Sequence, residues 1–345
     1  MGKSNENLKT VTRVGVDLAK NVIQVHAVDA KGEVVAARAL RRGAVLAFFG
    51  KLPACVAAME ACSTAHHWGR ELMALGHEVK LIPAAHVKPY VRRNKNDAAD
   101  AAAICEAVGR PSMRFVSVKT PERQAVLSMH KARALLVTQR TRLTNAIRAH
   151  LAEYGLVAPA GREGFETLLL RLEAGALAIP RPLVIALQAM AGPLAPLKAA
   201  IGAVEKQIRA WHAADRQSRN LATAPGFGPL VASAVAASLT DPAAFRSARA
   251  YAASLGLTPR IEASGGKARI GRMSKRGDRY IRRLLVNGAQ ALLNSKGARA
   301  DPWIARLLAE KSRKLAAVAV ANKLARIAYA MISSGQPYQA PAITA

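Results

Sequence analysis

Aromatic side chains are scarce, at 4% of the chain, so base stacking is not expected to dominate contact with a polymer. Cysteines are only three, Cys55, Cys62 and Cys105, and no two stand at CxxC spacing. That excludes a zinc ribbon or a disulfide framework and fits a reducing cytosol. The opening MGKSNENLKTVTR lacks the apolar stretch of a signal peptide, and Glu6 stands where a myristoylation motif needs Ser or Thr. No window approaches about 18 uncharged apolar residues, so no membrane span is expected, and the protein is expected to be soluble and intracellular. Acids are short too: 22 Asp and Glu stand against 51 Lys and Arg, a net charge of +29. Such a field suits a polyanion, with nucleic acid as the default partner and phosphate contacts carrying salt-sensitive affinity. A membrane surface fits less well, because the charge is spread along the chain rather than gathered on one amphipathic helix.

What is present is a chain of 345 residues, 51% of them hydrophobic, too long for one ordinary core. RVGVD at 13–17 and VIQVHAV at 22–28 read as strands, DAKG as a turn, and EVVAARAL at 33–40 as the returning strand. GAVLAFFGKL reads as a helix, ACVAAME at 54–60 as a strand ending in an acid, and 64–75 as an amphipathic helix stopped by Gly76. HEVKLIP at 77–83 is a further strand, and a helix capped by Asn96 or Asp97 runs to about Val108. Mixed strands with crossover helices predict an α/β sheet packed on helices over 8–115. Residues 121–154 hold no Gly or Pro after the first position and place apolar residues near heptad spacing. A long helix is predicted there, with 194–221 as an antiparallel partner, in a helical coiled-coil segment over 120–222. Pairing within one chain or between two is open. From 223 to 335 the pattern is mostly helical, interrupted by a basic loop or hairpin.

Asp17 ends the first strand, Glu60 a later one, and Asp97 and Asp100 share a helix face three residues apart. Carboxylates converging at strand ends would repel unless cations were bound. Oxygen ligands without His or Cys select magnesium or manganese, and two such ions would clamp a phosphodiester. The plainer reading of Asp97 alone is a helix cap, and of Asp100 a solvated helix acid. Glu60 after ACVAAM and Asp17 after VGV are harder to explain that way. GFGP within APGFGPLVASAV resembles the turn of a helix-hairpin-helix, where Gly226 and Gly228 would let the backbone approach a phosphate; an ordinary helix connection fits equally. From Arg260 to Arg283 nine Lys or Arg stand against two acids. Arg260, Lys267, Arg269, Arg272, Lys275 and Arg276 in that stretch, and Arg92, Arg93 and Lys95 before the acidic helix, are candidate nucleic-acid contacts. Ser264, beside Gly265 and Gly266, is sterically open, though residue types alone favour a simple turn serine.

The blocks VGVDLAK, MEACSTAHHW and RRNKNDAADAAAICEA, followed by PGFGP and GLTPRIEASGGKARIGRMSKRGDRYIRRLL, resemble the insertion-sequence-110-type DEDD transposases over nearly the whole chain. HHWGRELMALGHEVKLIP resembles their eleven-eleven subgroup. The resemblance implies a ribonuclease-H-like, RuvC-type N-terminal domain with Asp17, Glu60, Asp97 and Asp100 as its metal-holding set. It further implies a C-terminal transposase domain with Ser264 as a nucleophile that forms a phosphoserine link to DNA. The match around Ser264 needs a one-residue gap, and Ser254 and Ser274 are the alternatives. Also implied are Mg2+ (or Mn2+), a pair of ions, and DNA ends and target as substrate. The family's structured guide RNA, a homo-oligomer (dimer or tetramer) joined through the long helices, and a place at the bacterial nucleoid complete the expectation.

Two rival readings remain at this level. A metal-dependent junction nuclease would use water and leave Ser264 as a contact. A non-catalytic basic nucleic-acid binder would need none of the four acids. Replacing Lys267, Arg269 or Arg272 with Ala is expected to weaken DNA binding and reduce the slope of log K against log salt by about one per residue. Titrations across a salt series would show this, and an unchanged slope would remove the hairpin from the interface.

Overall fold

The computed structural model describes residues 7–91, 96–264, 267–297 and 301–340, with the side chains of 262–268 outside that set. The chain forms two compact units. One comprises residues up to Pro121 together with Thr240–Phe245; the other comprises Glu122–Leu239 and the chain from Arg246 onward.

The first unit is a five-stranded mixed sheet. Its strands are β1 (Arg13–Asp17), β2 (Val22–Val28), β3 (Val34–Arg41), β4 (Val56–Glu60) and β5 (Glu78–Ile82), in the order β3-β2-β1-β4-β5. The first three strands form an antiparallel meander. Asp29 closes its second hairpin, accepting from the Lys31 and Glu33 amides at 2.9 Å, and Gly32 supplies the positive φ of +85°. β4 and β5 run parallel to β1, so each needs a crossover. These contain α1 (Val45–Phe49) and α2 (Ala65–Ala74). After β5 come α3 (Ala84–Val87) and α4 (Asp97–Val108).

Strand alternation sorts the two faces of the sheet. Val14, Val16, Ile23, Val25 and Met59 meet Phe49, Trp68 and Leu72 of α1 and α2. Ala58 and Ile82 point the other way and meet Ala103, Ile104 and Ala107 of α4. The chain leaves the sheet over α2, where the Lys119 amide donates to His66 Nδ1 (3.3 Å) and Arg70 donates to the Lys119 carbonyl (2.8 Å). His66 and His67 therefore serve different surroundings, His67 lying 3.8 Å from Glu71.

Among the described residues the second unit is helical apart from one hairpin. Its helices are α5 (Pro121–Ala152), α6 (Arg162–Glu173), α7 (Arg181–Ala191), α8 (Leu194–Ala214), α9 (Arg216–Ala222), α10 (Pro229–Ser238) and α11 (Ala248–Ser254). The hairpin β6 (Pro259–Ser264) and β7 (Lys267–Met273) follows, then α12 (Arg279–Asn294), α13 (Pro302–Glu310) and α14 (Arg313–Ser334). α5 pairs with α8 and α9 of the same chain. Glu122 accepts from Trp211 Nε1 (2.8 Å), Arg123 reaches Gln217 (3.1 Å) and Arg133 reaches Glu205 (2.7 Å). From Glu122–Trp211 to Arg133–Glu205 the α8 number falls as the α5 number rises, so α5 and α8 are antiparallel. Leu194, Leu197, Ile201, Val204, Ile208 and Trp211 recur at alternating three and four residues along α8, and Ile201 and Ile208 are buried.

The sequence differs from the structure at three places here. The helix expected over 194–221 is two: Asp215 leaves helical geometry (φ −82°, ψ 116°), and its carboxylate accepts from the Ser218 amide at 2.6 Å to start α9. Residues 155–182, interrupted in sequence by Gly and Pro, contain α6. Arg148 of α5 holds its approach by donating to the Ala158, Pro159 and Gly161 carbonyls, and Phe165, Leu168 and Leu172 pack on Ile147 and Leu151. Finally, Arg181–Ala214 and Arg313–Ser334 are long and apolar enough, by length and composition, to cross a membrane, each with a mean hydropathy of 1.5. Charged residues interrupt them sparsely, which a search for wholly uncharged runs passes over. α14 is a core helix of its unit, and the first stretch is split by Gly192 and Pro193 into α7 and α8.

A buried polar chain ties α5 to α10 and α12. Ser233 Oγ donates to the Pro229 carbonyl (2.6 Å), so it accepts from His130 Nε2 (3.0 Å), and His130 Nδ1 accepts from the Tyr280 hydroxyl (2.9 Å). Burial first, and the Arg133 charge second, hold the His130 imidazole down at about 4. Its folded pKa lies below the unfolded value of about 6.5, so the unfolded chain binds the extra proton between those values. Stability is therefore expected to be full above pH 6.5 and to fall by up to about 3 kcal/mol as pH drops toward 4. Urea midpoints at pH 7 and pH 5 measure this. His130→Gln should flatten the difference, and an equal pH response in both proteins would rule it out.

Candidate active site

Asp17 is the last residue of β1, and its parity with Gly15 turns it to the α4 face of the sheet. Glu60 is the last residue of β4. The parallel ladder pairs Val16 with Met59, so the next step brings Asp17 and Glu60 level on neighbouring strands. Glu60 also has the parity of Ala58, which meets α4. Both acids thus stand at the carboxyl edge of the parallel strands, where α/β sheets build their sites.

α4 supplies the other two. The Asn96 side chain accepts from the Ala99 amide at 2.7 Å and is the cap. Asp97 is consequently not consumed by capping, and the alternative left open between Asn96 and Asp97 closes on Asn96. Alanines along DAADAAAICEAV let α4 lie close on β1. At Gly15 a Cβ would meet the Ala101 carbonyl oxygen, and would come within 2.5 Å of the Cys105 amide nitrogen and 2.7 Å of Cys105 Cβ. Only a residue without a side chain permits that approach. Farther along, the Arg13 guanidinium lies beside Cys105, whose thiol is pushed up by burial and drawn partly back by that charge.

The result is a group of three. One carboxylate oxygen each from Asp17, Asp97 and Asp100 lies within 4.8 Å of the others; Asp97 is exposed and the other two half-buried. Glu60 stands outside that group. Neighbouring oxygens around a magnesium ion are about 3 Å apart, so Asp17, Asp97 and Asp100 would have to draw closer together to hold one hard cation. Carboxylate oxygens without nitrogen or sulfur suit Mg2+ or Mn2+ better than zinc. Arg92, Arg93 and Lys95 lie outside the described residues.

The remaining candidates are in the second unit. Gly226 has φ +85°, and its bare Cα faces the α12 backbone, where a Cβ would lie 3.1 Å from the Gly288 carbonyl oxygen. Gly228 is the N-cap of α10 and has open space where a Cβ would stand. Arg260, Arg269, Arg272, Lys275 and Arg276 are exposed. The side chains of Ser264 and Lys267 lie outside the described residues; their backbones are cross-strand partners at the end of the hairpin. Ser254 Oγ donates to the Tyr251 carbonyl at 2.7 Å, within the helical turn, and the Ser274 amide donates to Thr258 at 2.9 Å. Sequence reasoning missed Arg282. Counted among the surface cations, it is buried and donates to the Leu255 (2.9 Å) and Arg276 (2.6 Å) carbonyls, anchoring the hairpin's base. Its place on the apolar face of α12, beside Ile281 and Leu285, was the available signal.

Residues 14–156 match the DEDD transposase family model of the IS110 type, and residues 218–304 match the model described as transposase IS116/IS110/IS902 family. A probable family 20 transposase of Pseudomonas aeruginosa is 46% identical over 95% of this chain and 99% of its own length. The chain belongs to the IS110 family of transposases. A putative transposase of Sinorhizobium fredii, y4pF/y4sB, is 41% identical over 98% of this chain and 88% of its own length. The transposase for insertion sequence element IS1111A of Coxiella burnetii is 38% identical over 98% of this chain and 94% of its own length. As a member of a transposase family, the chain is an enzyme acting on DNA. In this transposase the three-acid group depends on the clearance at Gly15. Gly15→Ala is expected to move α4, cost about 1–3 kcal/mol and weaken Mn2+ binding. Calorimetric titration with Mn2+ beside a melting curve checks this; unchanged metal binding would show that the approach of α4 does not set the site.

Proposed function

We propose that this chain is the recombinase of an insertion sequence, cleaving, exchanging and rejoining DNA strands under the direction of a guide RNA encoded by its element. The observation that carries this is the convergence of Asp17, Asp97 and Asp100, with Glu60 level with Asp17 on the next strand, in a chain of the IS110 transposase family. The mixed sheet with these acids at its carboxyl edge supports a RuvC-type, ribonuclease-H-like reading of the first unit.

In this reading the four carboxylates hold magnesium, or manganese, as a pair of ions. When bound, the ions supply positive charge at the scissile phosphodiester. Asp97 and Asp100 present their carboxylates from a rigid helix, and Asp17 and Glu60 from rigid strand ends, which fixes the phosphate's position. The Ser264 hydroxyl passes its proton to water and bonds to phosphorus as the bond to the strand's leaving oxygen breaks, and that oxygen takes up a proton from water. The phosphoserine link preserves the ester for rejoining. Exposed Arg260, Arg269, Arg272, Lys275 and Arg276, with Lys267, Arg92, Arg93 and Lys95, hold phosphates of DNA and of the guide RNA, and the open N-terminus of α10 at Gly228 accepts another. A dimer or tetramer forms through the α5/α8 pair, whose Leu135 is 59% exposed. The working compartment is the cytoplasm, at the nucleoid.

A water-using nuclease would rest on the same carboxylates and differ only in its nucleophile. The test is trapping. Protein, element-end RNA, magnesium and end-labelled junction DNA are incubated and then denatured. Label on the wild-type protein that is absent from Ser264→Ala is the expected result. Cleavage without any adduct in either protein would establish the water-using nuclease instead. Asp100→Asn is expected to abolish cleavage while binding holds within a few-fold; full-rate cleavage by that variant would end the metal-site reading.

A further inference from the structure

The β6–β7 hairpin carries an apolar pair left exposed among the described residues. Ile261 and Ile270 are cross-strand partners, 69% and 78% exposed. The ribbon has two strands only, and neither isoleucine belongs to a described core cluster. Its surroundings are mostly cationic, with one acid, Glu262, the cross-strand partner of Arg269. Alternation puts Arg272 on the isoleucine face, two residues from Ile270, while Arg260 and Arg269 lie on the other. The Gly271 Cα is open to the Arg260 backbone, where a Cβ would lie 3.4 Å from its carbonyl oxygen.

The base of the ribbon is held firmly. Arg282 donates to the Leu255 and Arg276 carbonyls, the Lys275 amide donates to Gly256 (3.3 Å), and the Ser274 amide donates to Thr258 (2.9 Å). Gly256 and Gly277 fit this junction with φ of +71° and +69°, and Lys275 takes a positive φ of 55°. An isolated two-stranded ribbon with bare isoleucines is an aggregation hazard unless something is meant to cover the pair.

We propose that Ile261 and Ile270 form a wedge that enters a groove of duplex DNA and unstacks a base step, while the flanking arginines hold phosphates on either side. A two-stranded ribbon has the cross-section of a B-DNA major groove, and apolar side chains between base pairs kink duplexes in other folds. The deep, narrow major groove of A-form RNA excludes such a ribbon, which commits the surface to DNA. Ile261 precedes Ser264 by three residues on β6, about 10 Å at the strand's rise, and the odd spacing gives the two positions opposite parity, so the wedge face is not the face of Ser264. The wedge rests on the recombinase reading, and it adds a strand-opening role for two residues outside the carboxylate set.

The experiment uses the full chain and duplexes of the element-end junction carrying 2-aminopurine at successive positions. Wild type is expected to raise emission several-fold at one or two adjacent positions. The double variant Ile261→Ala/Ile270→Ala should lose that rise while binding the same duplex no more than about tenfold more weakly. Both substitutions are on exposed positions, and a matching melting curve confirms the fold. An unchanged emission rise in the double variant overturns the wedge, with DNA binding and the recombinase reading intact. A variant whose only change is its oligomeric state, by light scattering, overturns it in favour of a protein interface. Failure of wild type to bind duplex at all would remove the DNA reading itself, a different failure from loss of the emission rise.

Discussion

The bare Cα of Gly15 against α4 is the constraint on which the site depends. Sheet and helix ordinarily pack with side chains between them. Here the Ala101 carbonyl and the Cys105 backbone take the space a methyl group would fill. That brings the first turn of α4 within reach of the end of β1 and puts Asp97 and Asp100 beside Asp17. The alanine-rich face of the helix is the other half of the same fit. Asn96 completes it by taking the capping duty that would otherwise fall to one of the acids.

Much of this was legible because it is local. β-branched alternation marked the strands, and an acid closing each apolar run marked Asp17 and Glu60. The spacing of Asp97 and Asp100 on a helix was plain from the two positions between them. The cap was ambiguous, since Asn and Asp serve equally in sequence and only the Asn96–Ala99 hydrogen bond separates them. Glu60 read as an equal member of the set, yet it stands outside the tight group, because which face an acid takes is local and how near another acid comes is not. The break at Asp215 was hidden inside a good heptad pattern, and α6 was hidden among glycines that the fold uses at its ends.

The second unit shows the same division between local and distant causes. Heptad spacing announced α5 and α8, but the Glu122–Trp211 and Arg133–Glu205 contacts decide that they pair antiparallel within one chain. Arg282 looked like one more surface cation in a basic run. Its burial against two carbonyls makes it the foundation of the hairpin, and the exposed cations around it are thereby given a stiff platform.

The first unit is not a continuous length of chain. Thr240–Phe245 belongs to it, and Ser117 Oγ donates to Asp241 Oδ2 at 3.5 Å, although more than a hundred residues of the helical unit lie between. On the ribosome, the sheet that carries the acids can form early, but its unit is completed only once that short segment has emerged. A chain that stops within α5 to α10 therefore yields a sheet without its final segment, so a full acidic unit comes only from a chain already committed to building the helical one.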